Sequence, residues 1–536
     1  MTASSGKHAD LVIIGGGLGG IAAALAALEA GRRVVLTDPT RWLGGQLTSQ
    51  LVPLDEHIAI ERTGANQSYR RLRDGLRDYH RRHFPLTEQA RTDPHLNPGE
   101  AWVSPVSVDP RIGVAVIEEM LAPYRVNEQL TVLTETVPIA ATTDGDRVSG
   151  VRVRLADGSE RDLEAPYVLD ATELGDLLEL AGVEHTSGRE AQSETGEPNA
   201  AETADPLDMQ GVTWCFAIEH LAGEDHTIDR PADYSYWRDL HPPQLDGVPI
   251  LSWDTSVTTD GHPGRTYRFT PNPDPADDVI DLDHHNMGRE PELWNYRRIA
   301  ARRHFTPGYL RSDVTIVNWP MNDYVGGPLF GVPDAAHHWE QAKALSRSLL
   351  YWLQTDAPRP DGGTGWPGVR LRADVAGTAD GFAMHPYIRE SRRIKARKTV
   401  VEQEISTTFR ADRAAEFADT VGVGHYFWID RHRTTGAGAG PGKGGGLPHP
   451  FQIPLGALLP VRVRNLLPAS KNIGTTQITN GCYRLHPVEW AIGEAVGSLV
   501  GYCLDRGTEP QAVADDPAAT ADFQHHLEKR GVQLHW

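Results

Sequence analysis

Gly15, Gly17 and Gly20 form the spacing G-x-G-x-x-G directly after a short expected strand, Asp10 to Ile14, and directly before an alanine- and leucine-rich stretch that ends near Gly31. Each glycine has its own mechanical task in such a turn. The first permits the tight reversal, the second lets the backbone approach a pyrophosphate, and the third lets a helix pack closely on a strand. A helix opening there presents free N–H groups and the positive end of its dipole to phosphates. Asp38 stands 18 residues beyond Gly20, after a second apolar run, Arg33 to Leu36, where a carboxylate can accept hydrogen bonds from an adenosine ribose. Strand, glycine turn, helix, strand and acid together read as one βαβ unit that binds a dinucleotide.

The rest of the chain must position that unit and supply a reaction. With 536 residues, 39% of them hydrophobic, it is long enough for two or more structural units around a large core. No apolar run approaches the length of a membrane span, and no secretory leader is indicated, so a cytoplasmic location is expected. Cys215, Cys482 and Cys503 are too few and too scattered for a disulfide framework or a cysteine-based zinc site. A formal charge of −20 opposes binding to nucleic acid or to an anionic membrane.

The flanking segments bear on which dinucleotide. Trp42 to Thr48 contains a second glycine pair, Gly44 and Gly45, with polar neighbours, which a simple nicotinamide domain does not need there. Leu130 to Leu133, Val148 to Leu155 and Arg161 to Leu163 read as alternating strands separated by turn residues, and Tyr167 to Asp176 follows with Ala-Thr-x-x-Gly-Asp. This order resembles the FAD-dependent oxidoreductases with a glutathione-reductase-like flavin domain. Leu293 to Arg298, Val317 to Tyr324, Pro386 to Arg393 and Arg484 to Gly497 look like the block pattern of the group labelled FAD-dependent oxidoreductase without an assigned substrate. The long Gly436 to Gly446 insert departs from that pattern.

The resemblance implies an α/β fold: a discontinuous FAD-binding Rossmann domain formed by residues 1–185 and 461–536, and an α+β substrate-binding cap over 186–460. It implies FAD contacts at Gly15, Gly17, Leu18, Gly20, Asp38 and Pro39, then at Gly44, Gly45, Gln46 and Thr48, and at Val137. Further contacts are implied at Ala171, Thr172, Gly175 and Asp176, and at Asn472, Ile473, Arg484, His486, Pro487 and Val488. In the resembling flavoproteins the helix after Pro487 points its N-terminus at the pyrimidine edge of the flavin. Its dipole would stabilise the reduced ring, and Arg484 could add to that charge or serve an ion pair between domains.

Hydride transfer to flavin needs a base for the departing O–H or N–H proton, and histidine suits it. The candidates are His385, His425, His432, His449 and His486, with His425 and His432 favoured because their segment lies toward the flavin in the resembling proteins. Arg389, Arg392 and Arg393 are spaced i, i+3 and i+4 on an expected helix, Arg389 to Arg397, where they could grip a carboxylate substrate or clamp acidic residues. Cys482 or His57 could attach a flavin covalently. Asp283 to His285 and His337-His338 lack the spacing of a metal site, so no metal is expected. Glu190 to Asp205 reads as a polar, mobile loop. Gly436 to Gly446 lacks the spacing of a phosphate loop and reads as a linker or lid.

No second glycine fingerprint and no Cys-x-x-Cys pair occurs, which argues against a dedicated nicotinamide domain and against disulfide chemistry. The leading expectation is a dehydrogenase or oxidase of a small organic molecule, of the kind handled in specialised metabolism. Oxygen or a separate acceptor would reoxidise the flavin. A flavin monooxygenase or halogenase is the alternative, and a non-redox use of FAD a third reading. The sequence leaves room for a homodimer.

Overall fold

The computed structural model describes residues 9–245, 247–255, 266–274, 292–430, 433–436 and 446–536. Strand β1 (Leu11–Ile14) is buried at every position and leads into helix α1 (Leu18–Glu29), which returns the chain to β2 (Val34–Thr37). Two long helices, α2 (Gln67–His83) and α3 (Pro110–Val126), lie in the connection to β3 (Leu130–Leu133). Strands β4 (Val137–Asp144), β5 (Arg147–Arg154) and β6 (Glu160–Leu163) form an antiparallel meander, and β7 (Tyr167–Asp170) follows. Leu130 to Leu133 is therefore not part of the meander, as the alternation had suggested. The segment that opens the meander begins at Val137.

The middle of the chain builds a second, antiparallel sheet from β8 (Phe216–His220), β9 (Arg298–Ala300), β10 (Val314–Val317) and β11 (Val369–Leu371), in the order β9-β10-β8-β11. Helix α4 (Ala335–Thr355) packs its Leu345, Leu349 and Leu353 into the same apolar core as this sheet. The chain then returns to the first sheet through β12 (Leu466–Pro468) and helix α5 (His486–Arg506).

The first sheet has the order β12-β7-β1-β2-β3, parallel throughout. A central parallel strand is covered on both faces, which is why β1 reads as an unbroken apolar run. Helix α1 is buried from Leu18 to Leu28 and α5 from His486 to Cys503, so neither has a wet face. They cross with backbones in contact. A Cβ on Gly493 would lie 1.9 Å from the Gly19 carbonyl oxygen, and one on Gly497 would lie 2.2 Å from that of Ala23.

Two expected features differ. The basic stretch after Pro386 is extended rather than helical: Tyr387 N–H donates to Thr213 (2.7 Å), and Arg393–Ile394 pairs with His185–Thr186. Those long-range backbone bonds override the i, i+3, i+4 periodicity, and the three arginines go to different partners. The Glu190 to Asp205 segment is pinned rather than loose. Glu190 takes Arg393 (2.7 Å), and the buried Glu197 accepts from the Glu402 N–H (2.9 Å) and the Thr476 hydroxyl (2.7 Å).

Candidate functional site

The glycine turn opens on a cavity of about 440 Å³, within the range of small-molecule sites. Gly15 sits at φ +105°, and a Cβ there would lie 2.1 Å from the Ala171 carbonyl oxygen, while one on Gly20 would lie 2.1 Å from that of Gly15. Strand and helix thus approach as the spacing requires. Gly17 differs: its φ is −65°, and a Cβ would meet only the ends of two side chains, Glu173 Oε1 and Glu489 Oε1, each at 3.2 Å.

Asp38 ends β2 at the cavity wall. Its carboxylate accepts from the N–H of Gly16 (3.2 Å) and from the N–H and hydroxyl of Thr40 (2.7 and 2.8 Å). Burial nevertheless pushes its pKa up to about 7. Asp170, at the end of β7, is likewise pushed up to about 7 by burial, with Thr172 N–H and hydroxyl on one oxygen and nothing on the other. Thr172 and Asp176 line the cavity, and Asp176 N–H donates to the Thr172 hydroxyl (2.7 Å).

A charged cluster lies beside Gly17. The fully buried Lys471 ammonium pairs with Glu173, itself part of the wall. Glu489, in the first turn of α5, accepts from the Gly19 N–H (3.3 Å) and from Gln46, and burial raises its pKa.

Of the positions expected to touch cofactor, Gly15, Gly17, Asp38, Pro39, Gly45, Val137, Ala171, Thr172 and Asp176 share this cavity wall. Leu18 and Gly20 are buried in α1, and Gly44 (φ +118°) shapes the turn whose Thr48 hydroxyl donates to Leu43 (2.7 Å). Gly175 (φ +67°) caps the short helix Asp176–Leu180. The carboxyl-terminal set lies one layer away. Gln46 reaches the Arg484 carbonyl (3.1 Å), Asn472 donates to Asp170 (3.0 Å), and Ile473, Pro487 and Val488 are buried.

Arg389 is 2% exposed and spent on the protein: it pairs with Asp323 (2.9 Å) and donates to the Gly211 carbonyl (2.7 Å) and the Thr213 hydroxyl (2.9 Å). Arg484 donates to the Tyr387 hydroxyl (2.6 Å) and pairs with Asp430 (2.8 Å). His486 accepts the Asp55 N–H on Nδ1 (3.0 Å) and donates from Nε2 to the Val52 carbonyl (3.2 Å), so both ring nitrogens are satisfied, and burial lowers its pKa to about 4. His425 packs with His57 (5.4 Å between rings) and Trp536 (5.8 Å), away from the cavity wall, and burial lowers its pKa to about 4. Cys482 is buried in the helix Gln477–Tyr483, and neither it nor His57 lines the cavity. His432, Asp283 to His285 and positions 437–445 lie outside the described residues.

Sequence reasoning left Ser49, Gln50, Glu173, Trp339 and His385 unassigned to this wall. The Gln50 amide nitrogen is buried without a partner. Only long-range pairing brings these residues together, as where His385 N–H donates to Ser49 (3.2 Å).

A parallel sheet with a glycine turn, a helix N-terminus and a carboxylate on one cavity defines a dinucleotide-binding protein. The family described as FAD dependent oxidoreductase matches residues 10–527, and the chain belongs to it. FAD is its cofactor. The residues present fit that group: Gly17, without a side chain, caps α1 on this wall, and Asp38 places a buried carboxylate on the same wall. Curated proteins offer no match.

Among solved structures the chain is similar to L-proline dehydrogenase from P. horikoshii, at 19% identity over 34% of this chain and 24% of that one, with a TM-score of 0.18. It is similar to flavin-dependent brominase Bmp2 at 17% identity over 42% and 48%, with a TM-score of 0.25. It is also similar to the glycerol-3-phosphate dehydrogenase from Bacillus halodurans complexed with FAD, at 17% identity over 40% and 41%, with a TM-score of 0.25. The chain thus spans between a quarter and a half of these proteins, and likeness at this level says nothing of the reaction. No helix among the described residues is long and apolar enough to cross a membrane.

Proposed function

We propose that the chain is an FAD-dependent dehydrogenase that oxidises a small organic molecule. In this reading residues 1–185 and 461–536 form a discontinuous glutathione-reductase-like flavin unit, and residues 186–460 form the substrate-binding cap. The observation that carries it is one cavity whose wall holds Asp38 and the glycine turn together with Trp339 and His385, both from the 186–460 segment. Cofactor and donor can meet only where such a wall is shared.

Bound FAD supplies a two-electron acceptor that takes hydride from a donor C–H. The chain does the rest. Asp38 would accept hydrogen bonds from the ribose hydroxyls, and the N–H groups at the start of α1 would hold the phosphates. Lys471 offsets negative charge beside Gly17, where Glu173 and Glu489 already stand. Oxygen or a separate acceptor would reoxidise the cofactor.

The test is anaerobic mixing of the FAD-loaded protein with small alcohols, amines and amino acids while the flavin colour is followed. Bleaching without nicotinamide supports the reading. Reduction only by NAD(P)H, with oxygen then entering an organic product, replaces it with a monooxygenase.

A further inference from the structure

We propose that His385 is the proton-accepting residue of this reaction, with Nε2 presented to the donor beside the bound FAD. The inference rests on the dehydrogenase reading above.

Four observations lead there. His385 lines the cavity that Asp38 and the glycine turn also line, whereas His425 and His486 do not. Its Nδ1 lies 2.9 Å from the Pro386 carbonyl oxygen. A carbonyl only accepts, so the ring proton sits on Nδ1 and the lone pair on Nε2. No hydrogen bond engages Nε2 among the described residues, in contrast to His486, whose two nitrogens are both satisfied. The residue is also held from two sides: its backbone N–H donates to the Ser49 carbonyl (3.2 Å), and its ring stands edge-on to Trp339 (5.1 Å between centroids, 83°). A base must be oriented before its basicity matters.

The position within the cavity agrees. Asp38, the glycine turn and His385 share one wall with Ser49, Gln50 and Trp339, and Gly45 packs against the turn, where a Cβ on it would lie 2.9 Å from Gly17 Cα. A dinucleotide with its adenosine at Asp38 and its phosphates at Gly17 would carry its ring past the glycine turn, into the part of this cavity that remains. The charged groups facing His385 are Glu173, which favours the imidazolium, and Lys471, which opposes it; α4 contributes only neutral Trp339. Burial dominates and lowers the pKa, so the free base is the resting form at neutral pH.

The step balances for an alcohol or amine H–C–X–H. The C–H bond breaks and passes hydrogen and electron pair to the flavin, the X–H bond breaks and passes its proton to His385 Nε2, and a C=X bond forms. The substrate is oxidised by two electrons, FAD is reduced, and the imidazolium returns its proton to solvent.

The experiment compares the FAD-loaded wild-type protein with His385→Gln by anaerobic stopped flow, using lactate, glycolate, benzyl alcohol, benzylamine and proline as donors. For any donor that bleaches the wild type, His385→Gln should reduce at least about 100-fold more slowly, the low end of a positioned base's effect. It should also lose the acid limb of the pH profile, which a merely structural substitution would leave in place. An unchanged rate and limb overturns the inference.

If no donor bleaches the wild type, the dehydrogenase reading fails, and a second measurement judges His385 by itself. Diethyl pyrocarbonate should acylate His385 in the FAD-free protein, read by peptide mass, and bound FAD should block it. Absence of labelling, or labelling indifferent to FAD, overturns the placement. Flavin that remains on the His385 peptide after acid precipitation also overturns it, because the imidazole would then be a covalent tether and not a base.

Discussion

The three glycines of the first turn should fail in three different ways when each is replaced by alanine. At Gly15 the residue must hold φ +105° with its Cβ 2.1 Å from a carbonyl oxygen. Positive φ costs about 1–2 kcal/mol and a buried clash about 1–3 kcal/mol more, so Gly15→Ala should lose about 2–5 kcal/mol of stability. Gly20→Ala has ordinary φ but the same 2.1 Å approach, for about 1–3 kcal/mol. Gly17 has φ −65°, and a Cβ there meets only two carboxylate oxygens, each at 3.2 Å. Gly17→Ala should therefore fold as well as the wild type, or better by up to about 1 kcal/mol through the less flexible unfolded chain. Its methyl group would instead project where the phosphates approach. Losing one N–H bond to a charged phosphate costs about 1.5–3 kcal/mol, or roughly 10- to 150-fold in Kd. Urea unfolding of the FAD-free variants gives the first quantity and quenching of flavin fluorescence the second. A Gly17→Ala protein that binds FAD at wild-type affinity would place the phosphates elsewhere and refute the reasoning.

Three further outcomes are expected. Burial pushes the Asp38 pKa up to about 7, and the ionised form accepts from ribose hydroxyls more strongly than the acid, so FAD affinity should weaken below pH 7 by at most about tenfold per unit. Asp38→Asn should bind weakly and show little of that dependence, as fluorescence titration at several pH values would reveal. Asp38, Asp170 and Glu197 are all raised to about 7 by burial, so the stability from their protonated forms is complete at low pH and is lost as pH rises through 7. His57, lowered to about 3, and His425 and His486, lowered to about 4, act oppositely, but their contribution is complete once pH exceeds the ordinary histidine value near 6.5. The melting temperature of FAD-free protein should thus fall between pH 6.5 and 8, and a flat or rising curve would contradict these assignments. Arg389→Ala should destabilise the protein by about 3–5 kcal/mol, because it removes the buried countercharge of Asp323. An unchanged melting temperature with a raised KM would return Arg389 to substrate binding.

What could be read from the sequence follows the range of the forces involved. The turn from Ile14 to Gly20 and the acid at Asp38 were legible because the covalent chain alone brings them together within one βαβ unit. Helix α5 was legible from Pro487 in its first turn. His385 was not separable from its rivals, since its neighbours on the wall, Ser49 and Gln50, are more than three hundred positions away. The basic triplet misled for a related reason. Its spacing suits a helix face, yet each guanidinium is satisfied by a different acid, Arg389 by Asp323, Arg392 by Glu179 and Arg393 by Glu190 and Glu390. No local pattern announces such pairs. The Glu190 to Asp205 acids likewise look like a solvated loop until their partners, Arg393 and Thr476, arrive from far along the chain.

The parallel sheet has a consequence for how the protein is made. Strand β7 is flanked by β1 on one side and β12 on the other, and α1 is covered by α5. A ribosome that has just released Asp170 has supplied only half of that arrangement, and Asn472, which bonds Asp170, follows 302 residues later. At about 5–20 residues per second the wait is roughly 15–60 s. Throughout it the bare alanine face of α1 and one edge of β7 stand open in the nascent chain. Truncated proteins ending before β12 should accordingly be recovered bound to chaperones or as aggregates, and the amino-terminal piece should become soluble when the missing carboxyl-terminal piece is co-expressed.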